Sequence, residues 1–381
     1  MANAWEQIDW IGAKSLNILT DSLVLKNACS FDNTSDFNVK PNGYAVGSTI
    51  EMRTNPAYKA KEFTTTTEVQ DIRSSVRNMS IEKHFDVTVE LTSKEMRLDM
   101  DNFYLQVIKP SVTTIAESVE SYLGTKITDG AGLYSSADLF GTAADMALAK
   151  KAATFQQLSP TGRFCVVNDA LEAKLLGATY FNTFNSRGET GESVFNTGAL
   201  GRAFNMDFVS SLYMPSLTFT AGTGVGVTNN TAGATNKIGM TTLTTTATIT
   251  GTIKAGDRVK IAGVRRPLRV STLANIGATS ILLSDPITEI IPDAAAITVV
   301  SSGATYDVQG AIFDDASLAI AMPVLDPAAG QPTSILSENG VSIRVVQGYN
   351  MSTKKHTMSF DTIVGAAAYD NRRITLIADN A

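Results

Sequence analysis

The sequence predicts an α+β protein interrupted by an inserted β module, and three stretches carry that prediction. Phe85, Val87, Val89 and Leu91 alternate with His84, Asp86, Thr88 and Glu90, the period of a half-buried strand. Ile108, Val112, Ile115, Val119 and Tyr122 step by four, three, four and three, which puts them on one stripe of a long helix. From Ser216 to Ala255 the only charged side chains are Lys237 and Lys254, set among threonines, glycines and alternating apolar residues. A Thr/Val/Ile-rich run with turn signals and no helical period reads as short strands.

Taken in order, residues 8–28 read as a helix with Ile11, Leu16, Leu19, Leu23 and Val24 on one face. Both tryptophans, Trp5 and Trp10, lie at this end, where they could dock on a neighbouring copy or on their own domain. Residues 30–80 are rich in Gly, Asn, Pro and Thr, and their charges alternate in sign through Arg53, Lys59, Lys61, Glu62, Glu68, Asp71 and Arg73. That composition predicts a long extended excursion with a solvated or subunit-contacting surface. After the alternating strand, residues 95–127 take helical period, with Pro110 expected to kink the helix and Gly124 and the 128–132 run to end it. A helix of ~30 residues spans about 45 Å. Glu117 and Glu120 are expected on its wet face.

Residues 142–213 read as α/β: a helix from Thr142 to Gln157, a buried strand Phe164–Val167, a helix opened by Asn168-Asp169 with Glu172 completing a capping box, and a strand from Phe204 to Met214. Gly177 to Gly201 is a Gly/Asn-rich loop. The β module is bounded by Gly222-Thr223-Gly224-Val225-Gly226, read as an entry linker, and by Ser301-Ser302-Gly303. Strands are expected near 241–249, 257–263, 266–272, 279–283 and 296–300, enough for a small barrel or sandwich. Beyond it, Val341, Ile343 and Val345 alternate with Ser342 and Arg344, and Thr357–Ile363 supplies a partner strand across a turn.

Composition narrows the functions. Of 381 residues 44% are hydrophobic and only 18% charged, which suits a protein that buries surface against other subunits, or an ordinary β-rich one. The net charge is −6 and no long basic run exists, which argues against tight, direct nucleic-acid binding. Cys29 and Cys165 lie far apart without metal-ligand spacing, and Cys165 sits in an apolar run that marks it as a buried hydrophobe. The first residues lack a secretory pattern, and no apolar run reaches transmembrane length, so no membrane role is expected. No hydrolase elbow, zinc, phosphate-loop or dinucleotide motif appears, so the chain is not expected to be an enzyme or to need a cofactor or metal. His84 and His356 fall on predicted strands, His84 on the polar face. Arg265, Arg266 and Arg269 form the densest basic cluster, either a solvated turn or an ion-pair contact to a neighbouring copy.

The order of elements, together with the segments Ile253–Val264, Gly340–Val345 followed by Phe360-Asp361, and Phe208–Pro215, resembles the major capsid proteins of tailed bacteriophages. The resemblance is to the Hong Kong 97-type fold, and more narrowly to podovirus coat proteins that carry an insertion domain. It implies an N-terminal arm (1–42), an extended loop lying over a neighbour (43–80), and a peripheral domain with a spine helix (81–139, helix 95–127). An axial domain (140–215), a β-barrel insertion (216–305) and closing strands of the axial and peripheral domains (306–381) follow. It further implies a virion protein, assembled in the host cytoplasm, that forms hexamers and pentamers of an icosahedral head. The expected partners are other copies of itself, a separate scaffolding protein, a portal protein and packaged double-stranded DNA bound without sequence specificity. Candidate intersubunit contacts are Trp5, Trp10, Arg53, Lys59, Lys61, Glu62, Arg265, Arg266 and Arg269. Arg187, Glu189 and Glu192, of the loop expected to face the capsomer centre, join them. The loop from Thr228 to Lys237 lacks a carboxylate, so a charged contact that relatives make there is not expected. The alternatives are a protein nanocompartment shell of the same fold, or an exported β-rich surface protein.

Overall fold

Alternation of apolar and polar residues builds the longest strand of the chain. In the computed structural model, which describes residues 3–28, 31–32, 48–53, 56, 58, 60, 62–63, 72, 76–92, 103–156, 158–183, 194, 196–230, 235–246 and 249–380, that strand runs from Val76 to Thr92. Phe85, Val87, Val89 and Leu91 are half-buried and the residues between them exposed, as the period of two requires. The chain forms two units: Met1–Glu51, Asn78–Lys126 and Leu318–Ala367 make the first, and Met52–Arg77, Ile127–Ser317 and Ala368–Ala381 the second.

In the first unit the predicted amino-terminal helix divides into α1 (Asn3–Ser22) and α2 (Val24–Asn27), because Leu23 between them is extended. Strands β1 (Phe31–Asp32), β16 (Leu318–Ala321), β19 (Lys355–Ala368), β18 (Val341–Asn350) and β17 (Thr333–Glu338) form a sheet in that order. The strand Val76–Thr92, β3, joins through β19, and β2 (Thr49–Arg53) pairs with β3. The expected hairpin is present, with Arg344 opposite Asp361. Helix α1 packs on β17 and β18 and sends Ile8, Leu19 and Leu16 into the core.

The long helix is α3 (Lys109–Ile127), preceded by a widened π turn at Tyr104–Ile108; residues 95–102 of the expected helix lie outside the described residues. Pro110 cannot donate to a carbonyl one turn back, and the widened turn just before it absorbs that loss. Ile108, Val112, Ile115, Val119 and Tyr122 are buried as expected. Glu120 is not on a wet face: it is buried, while Glu117 is exposed. A second row, Ala116, Leu123 and Ile127, is also buried, and Glu120 belongs to it.

The second unit is built on a mixed sheet ordered β4 (Gly132–Ser136), β20 (Ile374–Asn380), β15 (Thr305–Asp314), β5 (Arg163–Val167), β7 (Met206–Ser210) and β6 (Arg202–Ala203), with β8 (Leu217–Thr220) also on β15. Helices α4 (Ala143–Phe155), α5 (Asp169–Gly177) and α6 (Thr179–Asn182) contribute Met146, Ala149, Leu171, Leu175 and Phe181 to its core. There Phe181 meets Phe208 edge-on, with ring centroids 5.3 Å apart. The cap of α5 is Asn168, whose side chain accepts the N–H of Leu171 at 3.0 Å. Glu172 is thus one residue too late for a capping box, and its carboxylate instead accepts the Ser210 hydroxyl. The strand expected from Phe204 starts only at Met206, because Phe204 and Asn205 both take positive φ in a tight turn from β6.

Between β8 and β15, which pair antiparallel with Thr220 opposite Thr305, the chain leaves and re-enters the sheet side by side. The excursion holds β9 (Val225–Val227), β10 (Thr242–Thr244), β11 (Arg258–Ile261), β12 (Leu268–Arg269), β13 (Ser280–Leu282) and β14 (Ala296–Val299). They form a sheet ordered β12-β11-β14-β9 and a β10–β13 pair around buried Ile249, Ile253, Val259, Ile261, Ile281 and Ile297. Each of the five strands expected here contains an observed one, although β10 and β12 are much shorter than the 241–249 and 266–272 expected. The sixth, β9, lies in the stretch read as a linker.

Candidate assembly surface

The insertion is fastened by its own entry stretch. An added Cβ at Gly222 would lie 2.3 Å from the Thr252 carbonyl oxygen, and one at Gly224 would lie 2.3 Å from Ile253 Cγ1, so only glycine permits this approach. The Gly-Thr-Gly-Val-Gly run is therefore a packed seam that leads into β9. Asp257 closes the seam: its carboxylate accepts the N–H of Gly222 at 3.2 and 3.1 Å and that of Lys254 at 2.6 Å. Burial raises its pKa, and those N–H groups pull it back. Next to it, buried Arg258 donates to the Gly130 carbonyl at 2.6 Å, and burial lowers its pKa.

The basic cluster expected at a solvated turn or a neighbour's surface is engaged within the chain. Arg269 pairs with Asp129 at 2.8 Å. Arg266 is buried and faces Glu289 at 3.8 Å, and its pKa is lowered first by burial and then by Arg372. The Arg265 N–H donates to Glu289 at 2.9 Å, and the Arg265 guanidinium lies 5.2 Å from the Phe155 ring centroid.

On the first unit's sheet, Asp361 is buried and accepts from Nε and Nη2 of Arg344. His84 Nε2 lies 3.1 Å from the same carboxylate, so this histidine is hydrogen-bonded within the chain on the polar face. His356 lies tilted against Tyr349, with ring centroids 4.6 Å apart. Tyr122 donates to Glu82 at 3.0 Å and accepts the Ala366 N–H at 3.3 Å. These networks satisfy charge within the chain. Among the described residues no group of three or more His, Cys, Asp or Glu could hold a metal, and no helix is long and apolar enough to cross a membrane. Burial pushes the Cys165 thiol far up, which keeps it from acting as a thiolate nucleophile.

Two residues that the sequence reading did not single out, Tyr369 and Arg77, anchor the chain on either side of residues 54–76. The Arg53 carbonyl accepts the Tyr369 hydroxyl at 3.0 Å, and Arg77 donates to the Ser284 carbonyl at 3.0 Å while pairing with buried Asp285. Between these anchors Tyr58 is 56% exposed, Phe63 69% and Ile72 79%. Arg53 and Glu62 are exposed here as well. Trp10 is 52% exposed and leans edge-on against Tyr104, with centroids 6.3 Å apart. Trp5 lies within α1, and nothing is described of its side chain; Lys59, Lys61, Arg187, Glu189 and Glu192 lie outside the described residues. Neither Tyr369 nor Arg77 carries a local sequence signal, since both anchors depend on partners hundreds of residues away.

No sequence-family model matches the chain, and no curated protein matches it in sequence. Solved structures do: the chain is similar to phage capsid proteins over most of its length. It is similar to the capsid structure of the cyanophage P-SCSP1u, with 10% identity, a TM-score of 0.48, and coverage of 87% of this chain and 83% of that one. It is similar to the capsid of a native GTA particle at 9% identity and a TM-score of 0.49, covering 94% of this chain and 91% of that one. It is also similar to a virus-like particle from Pyrococcus furiosus at 9% identity and a TM-score of 0.44, covering 98% and 99%. The structure is a mixed α+β fold with several sheets, and phage capsids are among the solved structures it resembles.

Proposed function

We propose that the chain is the major coat protein of a tailed-phage-type icosahedral head, with the Hong Kong 97-type fold and an inserted β barrel. Copies join as hexamers and pentamers into a shell around double-stranded DNA, with a separate scaffolding protein during assembly and a portal at one vertex. One observation supports this reading above the others. Between the anchors at Arg53 and Arg77, Tyr58, Phe63 and Ile72 are exposed to solvent. A monomer gains nothing from holding large apolar side chains in water, whereas a second copy laid against them would bury them. At about 25 cal/mol per Å² of apolar surface, such overlaps outweigh surface ion pairs worth about 0–1 kcal/mol each. On this reading the exposed side chains of Trp10, Arg53 and Glu62 lie at intersubunit contacts, together with Trp5, Lys59, Lys61, Arg187, Glu189 and Glu192. Arg265, Arg266 and Arg269 act first inside the chain.

The test is deletion of residues 48–75. The deleted chain should remain soluble and folded in the sheet of β4, β20, β15 and β5, yet form no shells when co-expressed with its scaffolding partner. Shells of normal size from the deleted chain would overturn the proposal. DNA in the mature particle, as opposed to protein cargo, separates a phage head from a nanocompartment shell.

A further inference from the structure

The sheet of the first unit ends at β17, and among the described residues no strand lies beyond it. Its neighbour β18 takes up half of its backbone groups. The N–H of Gln347 donates to the Pro332 carbonyl at 3.0 Å, and bonded pairs recur at every second residue of an antiparallel ladder. Ser334, Leu336 and Glu338 therefore bond to Val345, Ile343 and Val341, and the backbone groups of Thr333, Ile335 and Ser337 point out of the sheet. Among the described residues nothing else bonds to those outward N–H and carbonyl groups. Helix α1 packs on the face of Ser334 and Leu336, where an added Cβ at Gly12 would meet both side chains.

An edge of this kind takes up a further strand unless something blunts it. Lysine, proline or a bulge does so in many sheets, and β17 has neither residue within Thr333–Glu338. Its register against β18 runs unbroken over all six residues, and its one charge, Glu338, is at the end. The other ends of the two larger sheets are shorter: β1 and β6 have two residues each, and β4 has five.

We propose that β17 pairs antiparallel with β17 of a second copy, about a two-fold axis through Ile335, so that the two sheets become one. The strand is complementary to itself in this register. Thr333 faces Ser337 of the second copy, Ile335 faces Ile335, and every outward N–H and carbonyl gains a partner, roughly six bonds in all. Glu338 falls beside Pro332 of the second copy, at a position that makes no bond across the new ladder, so the missing proline N–H costs nothing there. No like charges meet. Moving the axis by one residue sets Thr333 against Asn339 or Ser337 against Gln331, outside the strand in both cases. The pairing goes beyond the coat-protein reading and does not depend on it, because a two-fold pair forms with or without a shell.

Sedimentation equilibrium of the chain alone, without scaffolding protein, should show a dimer. Thr333→Lys with Ser337→Lys in one chain sets lysine against lysine twice in the pair and should leave a monomer. Thr333→Lys with Ser337→Glu sets lysine against glutamate twice and should restore the dimer. Both positions face uncharged residues across β18, Val346 and Ser342, so the substitutions spare the chain's own ladder. Amide hydrogen exchange tests the wild-type chain without any variant: Thr333, Ile335 and Ser337 should exchange about as slowly as Ser334 and Leu336. In the two-lysine variant the outward three should exchange at least about tenfold faster, with Ser334 and Leu336 unchanged. A wild-type chain that stays monomeric, or whose outward amides exchange freely, overturns the inference. So does a dimer that survives the two lysines, or one that lysine and glutamate fail to restore. Shells with β17 unpaired overturn it and leave the coat reading standing, whereas a β17 dimer that forms no shells with the scaffolding protein does the reverse.

Discussion

Replacing Asp257 with Ala tests whether the entry seam holds the insertion together. The substitution removes the shared acceptor of the Gly222 and Lys254 N–H groups, the first of them buried. A buried donor left without a partner costs about 1–3 kcal/mol, and the part-buried Lys254 N–H, which water can reach, adds less than that. Part of that is recovered, because the carboxylate is itself held at a loss: burial is the largest influence on its pKa and raises it. The net expectation is about 1–3 kcal/mol of destabilisation. The effect should also be local. Native-state hydrogen exchange should show that loss in the opening free energy of Val259, Ile261 and Ile297, in β11 and β14, and little change at Val166, Ile312 and Leu376. Asp257→Asn, which keeps one carbonyl oxygen, should lose about half as much. A loss below about 0.5 kcal/mol at Val259, or an equal loss at Leu376, would refute the reasoning.

The two arginines that reach the turn at 129–130 should behave differently. Arg269→Ala, which breaks a pair with half-exposed Asp129, should cost about 0–1 kcal/mol, and that small cost should shrink further in high salt. Arg258→Ala leaves the Gly130 carbonyl without its donor and opens a gap in a buried site, so chemical denaturation should show a loss of about 2–4 kcal/mol. Tyr122→Phe removes the hydroxyl that bridges Glu82 and the Ala366 N–H, and should cost about 1–2 kcal/mol with the same exchange pattern on β19 outside Ala366.

Local periodicity made much of this fold legible. The alternation at 84–91 and the stripe of α3 needed only neighbouring residues, and the short strands of the insertion announced themselves through β-branched residues between turns. What stayed hidden depends on partners distant in the chain. Glu120 was assigned to water because its charge outweighed its position, although Ala116, Leu123 and Ile127 at helical spacing already marked a second buried row. The glycines at 222 and 224 looked like a linker because their tightness comes from Thr252 and Ile253, which meet them only in the folded module. Arg266 and Arg269 read as a solvated turn or a neighbour's contact for the same reason, since their partners Glu289 and Asp129 are distant in sequence. The candidate surface was half visible. The exposure of Tyr58, Phe63 and Ile72 suits the composition of 30–80, but the anchors at Tyr369 and Asp285 have no local signal.

Electron microscopy of the chain, expressed with the scaffolding protein that the proposed function calls for, tests the central claim most directly. The account predicts closed icosahedral shells whose wall is a lattice of hexamers and pentamers, with Tyr58, Phe63 and Ile72 of one copy buried on the next. A well-folded chain that stays monomeric at high concentration under those conditions, with those three side chains still in water, would contradict it.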